Sequence, residues 1–292
     1  MVNAQEYLDK KFPRDGKVKH GRHEGKKRKD ITELDITNKQ LQGSLKLEEF
    51  TNLESFCCWN SELTKLEVVN CPQLKKINCN TNQLTNLTII NCPNLAELYF
   101  SNNYLTNLNF LNNLNTEKLE CLDLSSNNLR GQELSAFSRF VNLKSLSIGN
   151  WLSREITQGV YNRFDGSLKT LRNLGKLESL DISDTDINGG LEYLPDSINF
   201  FRCSVFTRPE SEVKAICEEL REPGVGLKRK SLSLSLLFPK SNLSLVESDA
   251  TGYSSKSINK WKRNNYHLVE IAEREEIEQL ETSAHEVVIN YD

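Results

Sequence analysis

Apolar residues recur along this chain in a fixed phrase, L-x-x-L-x-L-x-x-N-x-L, in which aliphatic or aromatic residues and cysteine stand at the L positions. The phrase fits Leu74-x-x-Ile77-x-Cys79-x-x-Asn82-x-Leu84, Leu95-x-x-Leu98-x-Phe100-x-x-Asn103-x-Leu105 and Leu119-x-x-Leu122-x-Leu124-x-x-Asn127-x-Leu129. Looser copies begin at Ile31, Leu53, Leu143, Leu177 and Ile198, so that successive starts lie 22, 21, 21, 24, 24, 34 and 21 residues apart. Repetition at this period is the signature of a solenoid, in which no single turn can bury its own apolar face and stacking supplies the core.

The residue types define the unit. Positions four and six, such as Leu98 and Phe100, lie two apart and so share one side of a short strand. The asparagine at position nine stands where the chain leaves that strand, and its amide can satisfy loop backbone groups that a tight turn would leave unpaired. Asn82, Asn103 and Asn127 form such a ladder, Ser61 and Thr185 replace it elsewhere, and Trp151 is expected to break it. A second phrase, Leu63-Thr-Lys-Leu66-Glu-Val68-Val-Asn70-Cys71-Pro72, recurs as Leu84-Thr-Asn-Leu87-Thr-Ile89-Ile-Asn91-Cys92-Pro93. Its period of two predicts a second short strand on the convex side. From Leu119 onward the longer spacing predicts one or two helical turns, for example over Glu133–Phe140, and Trp151–Arg163 reads as a loop insertion.

Both ends carry helical patterns that could cap the stack. Ala4, Leu8 and Phe12 are at helical spacing ahead of Pro13. Thr207 and Glu210 read as a capping box with Pro209 in the first turn, followed by Val213, Ile216, Cys217 and Leu220 on one face and a stop at Pro223-Gly224. The expected organisation is a cap helix and basic linker over 1–30, a repeat solenoid over 31–206, a cap helix over 207–226 and a tail over 227–292. In the tail, Ser231–Leu236 alternates like a strand, 241–257 is a Ser-rich linker, and 258–288 is helical in pattern with seven Glu against one Arg between Leu268 and Glu286.

These phrases resemble leucine-rich-repeat proteins, and the early 21-residue units resemble the IRREKO-type subclass with strands on both faces. Asn3-Ala-Gln-Glu-Tyr-Leu-Asp-Lys-Lys-Phe-Pro13, Ile31-Thr-Glu-Leu-Asp-Ile36, Tyr161-Asn-Arg-Phe-Asp-Gly-Ser-Leu168, Asp181-Ile-Ser-Asp-Thr-Asp-Ile187 and Gly190-Leu-Glu-Tyr-Leu-Pro-Asp196 further resemble the expanded leucine-rich-repeat families of mycorrhizal fungi. The likeness spans roughly residues 3–224 and implies an α/β fold: a solenoid with a parallel concave sheet, convex strands in the early repeats, helical caps and a helical tail. It implies a scaffold whose partners vary from member to member. Some members of those families carry C-terminal kinase modules; this chain has no glycine loop or catalytic or metal-binding Asp motif of that kind.

Composition narrows the function classes. A net charge of −3, with 37% hydrophobic and 26% charged residues, is ordinary for a globular protein. No segment approaches the roughly 18 uninterrupted apolar residues of a membrane span, and no apolar stretch precedes a cleavage site near the N-terminus, so secretion is not expected. The eight cysteines include no C-x-x-C pair and read as reduced thiols used as small apolar side chains. The glycosylation patterns at Asn86 and Asn242 carry little weight without a leader. The expected compartment is the cytoplasm, with Lys26-Lys-Arg-Lys29 as a candidate nuclear-import signal.

Candidate chemistry is thin. His20 and His23 could suggest a metal pair, yet no Cys or acidic cluster beside them completes a site, and a solvated loop is the plainer reading. The ten basic residues between Lys10 and Lys29 lack interleaved aromatics for base stacking and read as a charged linker. Gly224-Val-Gly226 fails the P-loop spacing, while Lys228-Arg-Lys-Ser231 is a candidate phosphosite against an unmodified linker. Cys57 faces outward beside the core residue Cys58, with no histidine nearby in sequence to activate it. No enzymatic activity and no cofactor are expected.

The concave surface is more informative. Strand positions three, five and seven are expected to face outward, and among them Trp59, Asn78, Tyr99, Asp123, Asp181 and Arg202 are the candidate partner-binding residues. Exposed Trp and Tyr are the types that dominate binding hot spots, although they can equally pack sideways on neighbouring strands. The expected function is a scaffold recognising a protein ligand on the concave face, with neither a membrane nor a nucleic-acid partner. The alternative is an adaptor that docks a larger complex through its C-terminal tail.

Overall fold

The computed structural model describes residues 2–205 and 207–221, apart from the side chains of Ser153 and residues 218–221. The readings made for Leu220, for the Pro223-Gly224 stop and for 227–292 therefore lie outside the described side chains or residues. From the N-terminus, β1 (Val2–Asn3) leads into α1 (Ala4–Lys11). There follow β2 (Glu33–Asp35), β3 (Leu41–Leu47), β4 (Ser55–Cys57), β5 (Glu62–Val69), β6 (Lys76–Asn78), β7 (Asn86–Ile90) and β8 (Glu97–Tyr99). The second half contains β9 (Cys121–Asp123), β10 (Arg130–Glu133), β11 (Ser145–Ser147), α2 (Ser153–Thr157), β12 (Arg163–Ser167), β13 (Ser179–Asp181), β14 (Asp186–Gly189), β15 (Phe200–Arg202) and α3 (Val213–Arg221).

One strand from each copy of the phrase enters an eight-stranded sheet, in the order β2-β4-β6-β8-β9-β11-β13-β15. Every pair in it is parallel, and position four of each copy falls in register with the next: Leu34, Phe56, Ile77, Leu98, Leu122, Leu146, Leu180 and Phe201. All eight are at most 1% exposed, as are the position-six residues from Ile36 through Cys58, Phe100 and Ile148 to Cys203. At position eight the backbone turns out of the strand through a left-handed residue: Asn38, Asn60, Thr81, Asn102, Ser126 and Asp184 all have φ between 50° and 56°. Short polar side chains tolerate that region best, which explains the asparagines there. The fold is a leucine-rich-repeat solenoid.

A second sheet, β1-β3-β5-β7, contains the two predicted convex strands as β5 and β7, while β1 and β3 join it without a signal read from the sequence. Each of the two Asn-Cys-Pro phrases ends its strand on a left-handed asparagine, with φ 54° at Asn70 and 56° at Asn91. The Asn91 amide donates to the Asn70 side-chain oxygen at 2.7 Å, and Cys71 and Cys92 fold back into the core. A third sheet, β10-β12-β14, is one the sequence pattern did not announce. Each of its strands runs into a single 3-10 turn, over Leu134–Phe137, Leu168–Leu171 and Leu191–Tyr193. The helical turns expected over Glu133–Phe140 thus shrink to one 3-10 turn preceded by strand.

Several other expectations need correction. The segment Trp151–Arg163 is not a bare loop, since it contains α2. The asparagine ladder does not break at Trp151, because Asn162 takes the rung from 11 residues farther on. Its side-chain oxygen accepts from the Leu129 N–H, and its amide donates to the Leu124 and Ile148 carbonyls, as Asn82, Asn103 and Asn127 do one or more repeats earlier. Thr207 and Glu210 do not cap a helix, which starts only at Val213. Thr207 bonds the Asp184 carboxylate instead, and the buried Arg208 guanidinium donates to the Asp184 carbonyl and pairs with Asp186 at 2.7 Å. Those bonds hold the chain across the last repeat and delay the helix.

The N-terminal cap is likewise more ordered than a charged linker. Asn3 caps α1 through the Glu6 N–H, and Ala4, Leu8 and Phe12 are buried. Residues 13–30 fold back on themselves, with the Val18 N–H donating to the Lys26 carbonyl and the Gly25 N–H to the Val18 carbonyl, both at 2.8 Å. Arg28 is 2% exposed; its Nε donates to the Phe12 carbonyl, and its guanidinium pairs with Asp9 and lies over the Phe50 ring. One member of the candidate import signal is therefore inside the cap. His23 is only partly solvated, because its ring packs on Phe12 at 5.9 Å, whereas His20 is exposed.

Candidate functional site

The eight-stranded sheet offers positions three, five and seven on the side away from the core. Position five runs in register as Asp35, Cys57, Asn78, Tyr99, Asp123, Ser147, Asp181 and Arg202. Five of the six candidate residues, Asn78, Tyr99, Asp123, Asp181 and Arg202, belong to this one ladder, with Arg202 at its end, and Trp59 stands at position seven beyond β4.

Position seven does not stay outside. Trp59 is 43% exposed, but Ser101, Ser125, Ser183 and Ser204 are buried. Gly149 shows the cause: a Cβ there would lie 2.7 Å from the Ser183 nitrogen and 2.7 Å from the Asp181 carboxylate. Small residues let neighbouring turns approach until backbone covers backbone. The same approach buries Asp181, which is only 7% exposed although its register is outward. The open part of the face is therefore its N-terminal half.

Position-five Asp and Asn residues have a local task that the sequence reading missed. The side-chain oxygens of Asn78, Asp123 and Asp181 accept from the backbone N–H two residues on, at 3.2, 3.0 and 2.9 Å. Each fixes the turn that leaves the strand, in the manner of an Asx turn. Asp-x-Ser and Asn-x-Asn at the strand exit were the available signal. Arg202 is half-buried, pairs with Asp181 at 3.5 Å and lies over the Phe200 ring.

Burial raises the Asp123 carboxyl above its ordinary value, against bonds from Ser125 and Ser101 that lower it. The sign follows directly. A carboxyl raised in the fold resists ionisation there, so its contribution to stability falls as pH rises through the ordinary carboxylate range. Asp123→Asn keeps an acceptor for the Ser125 N–H, as Asn78 does for Asn80. The variant is expected to match the parent near roughly pH 3 and to be more stable at pH 7. Urea titrations at the two pH values measure this; a variant that loses relative stability on going to pH 7 contradicts it.

Around Tyr99 the side chains form one polar cluster. The Lys76 ammonium pairs with Glu97 at 2.8 Å, the Tyr99 hydroxyl donates to the same carboxylate at 3.1 Å, and Lys76 lies 5.0 Å from the centre of the tyrosine ring. Burial, together with the thiol of Cys121 and the charge of Glu97, raises the Tyr99 hydroxyl, which stays protonated as a donor. Sideways packing and an outward edge thus coexist at Tyr99. Trp59 has no such cluster: its carbonyl accepts from Asn38 at 3.3 Å, while its indole is the large apolar side chain left outside on this face.

The half-buried thiols of this face are not activated. Burial first, then Asp35, raises Cys57, and burial first, then Glu97, raises Cys121. Cys58 behind them is pushed up to about 12 by burial. All eight cysteines are free. Native alkylation near pH 8 is expected to modify Cys57 and Cys121 before the six buried thiols, and more slowly than free cysteine; mass spectrometry of the labelled peptides reads the order. Early labelling of Cys79 or Cys203 would contradict the core assignment. Among the described residues no group of three or more His, Cys, Asp or Glu could hold a metal ion, and no helix is long and apolar enough to cross a membrane.

No protein-family model matches the chain, and no curated protein matches its sequence. Solved repeat structures resemble it at low identity. Internalin C2 from Listeria monocytogenes is 20% identical, covering 67% of this chain and 86% of that one, with a TM-score of 0.48. Human 5T4 is 19% identical, covering 62% and 74%, with a TM-score of 0.43. A plant peptide hormone receptor, RGFR1, in complex with RGF2, is 15% identical, covering 72% and 38%, with a TM-score of 0.40.

Proposed function

We propose that this protein is a recognition scaffold that holds a protein ligand against the N-terminal half of its eight-stranded sheet. The observation that carries the reading is Trp59: a 43% exposed indole stands just beyond β4 on a parallel sheet whose other outward rings, Tyr99 and Phe200, are half-buried beside Lys76 and Arg202. Exposed aromatics on a preformed surface bind at little cost in conformational entropy, and such residues dominate interface energetics. Beside it, Asn78 and the Lys76–Glu97–Tyr99 cluster supply donors and acceptors already held in place. Asp123, Asp181 and Arg202 serve the reading as turn-formers and as the far boundary of the face.

The test is capture of partners by the intact protein and by a version lacking 227–292, followed by affinity measurements on single-residue variants. A partner retained by the shortened protein and weakened by Trp59→Ala supports the sheet as the recognition surface. A partner lost with 227–292 and indifferent to Trp59 overturns it.

A further inference from the structure

The folded-back N-terminal segment leaves a strong unpaired charge. Lys10, Lys11, Arg14, Lys17, Lys19, Arg22, Lys26, Lys27 and Lys29 are all exposed on it. Arg14 pairs with Glu48 and Arg22 with Glu33, but the seven lysines make no ion pair with any described residue. The segment is nevertheless held in one conformation by its backbone bonds, by the buried Val18 and by Arg28 locked between Asp9 and Phe12. Seven like charges fixed on one short segment repel one another, and an anionic partner would relieve that repulsion.

The chain carries a matching anion of its own. Between Leu268 and Glu286 stand seven glutamates, Glu270, Glu273, Glu275, Glu276, Glu278, Glu281 and Glu286, against one Arg274. We propose that the basic surface formed by residues 10–29 is the docking site for the acidic segment 268–286 of the same chain. Geometry permits it. Eight strands at about 4.8 Å spacing place the two ends of the sheet roughly 34 Å apart. The residues from 222 to 267 can extend well over 100 Å at about 3.3 Å each. Read as a linker, a chain of that length would place its ends on average about 35–40 Å apart, close to the span that maximises effective concentration. The contact is between exposed charges, so it weakens as salt rises. A nucleic acid is disfavoured as occupant because no exposed Phe, Tyr or Trp interleaves the lysines for base stacking.

Zero-length carbodiimide cross-linking of the full chain tests the proposal, since it joins only amines and carboxylates in direct contact. An equimolar mixture of light and nitrogen-15-labelled protein separates links within a chain from links between chains. Expected are same-isotope links from Lys17, Lys19, Lys26 or Lys27 to glutamates of 268–286. They should be lost at high salt and in the variant Glu273→Gln, Glu275→Gln, Glu276→Gln, Glu278→Gln. That variant should also bind polyadenylate or phosphatidylserine vesicles more tightly than the parent, because its lysines are uncovered. Absence of these links, links mainly between isotopes, or equal polyanion binding by parent and variant would each overturn the proposal.

Discussion

Alanine at Asn162 is expected to lower the unfolding free energy by about 3 kcal/mol or more. The substitution removes one acceptor and two donors at once. It leaves the Leu129 N–H and the Ile148 carbonyl without partners in the interior and the Leu124 carbonyl with the Asn127 amide alone, and a buried group so stranded costs about 1–3 kcal/mol. Asn162 also anchors its neighbour, since its own N–H donates to Asn150, whose amide in turn donates to the Asn162 and Asp184 carbonyls. The comparison is with Trp151→Ala, at the position the repeat template itself selects. Trp151 is 49% exposed, and its removal is expected to change stability by less than about 0.5 kcal/mol. Urea unfolding of the two variants decides between them. A larger loss for Trp151→Ala would mean that the rung belongs to the template position after all.

That pair of residues also shows where sequence reading succeeds and stops. The eight strands of the long sheet were legible because their inward residues obey a strict local period, and stacking identical units leaves one register that buries them all. The rung at Asn162 was not, because the insertion carrying α2 displaces it from position nine, and no local pattern marks an asparagine that arrives from 11 residues later. The third sheet stayed hidden for a related reason. Arg130-Gly-Gln-Glu133 and Arg163-Phe-Asp-Gly-Ser167 hardly alternate, and they become strands only because the neighbouring repeat offers a backbone to pair with. At the C-terminal cap, the Thr207–Glu210 box was a sound local signal outcompeted by Asp184, a partner 23 residues away in sequence. The candidate face divides in the same way. Outward register was readable for the five residues at position five, but the burial of Asp181 depends on how closely the Gly149 backbone approaches it, which is a property of two repeats together.

Binding should respond most to Trp59. If its indole is covered by a partner, Trp59→Ala is expected to weaken affinity by about 2–4 kcal/mol, from roughly thirtyfold to nearly a thousandfold. Because the side chain is already 43% exposed, stability should move by less than about 0.5 kcal/mol. Tyr99→Ala should behave differently. Its ring packs beside Lys76 of the neighbouring strand and its hydroxyl bonds Glu97 of its own strand, so its removal disturbs a cross-strand contact worth about 0.2–1 kcal/mol and a hydrogen bond as well as any partner contact. A true recognition face therefore predicts a split: a large affinity loss with unchanged melting at Trp59, and a smaller affinity loss with a measurable drop in melting temperature at Tyr99. Equal losses of both properties at both sites would mean that the sheet had been damaged rather than a contact removed. Normal affinity for both variants, with binding abolished by deletion of 227–292, would move recognition from the sheet to the tail.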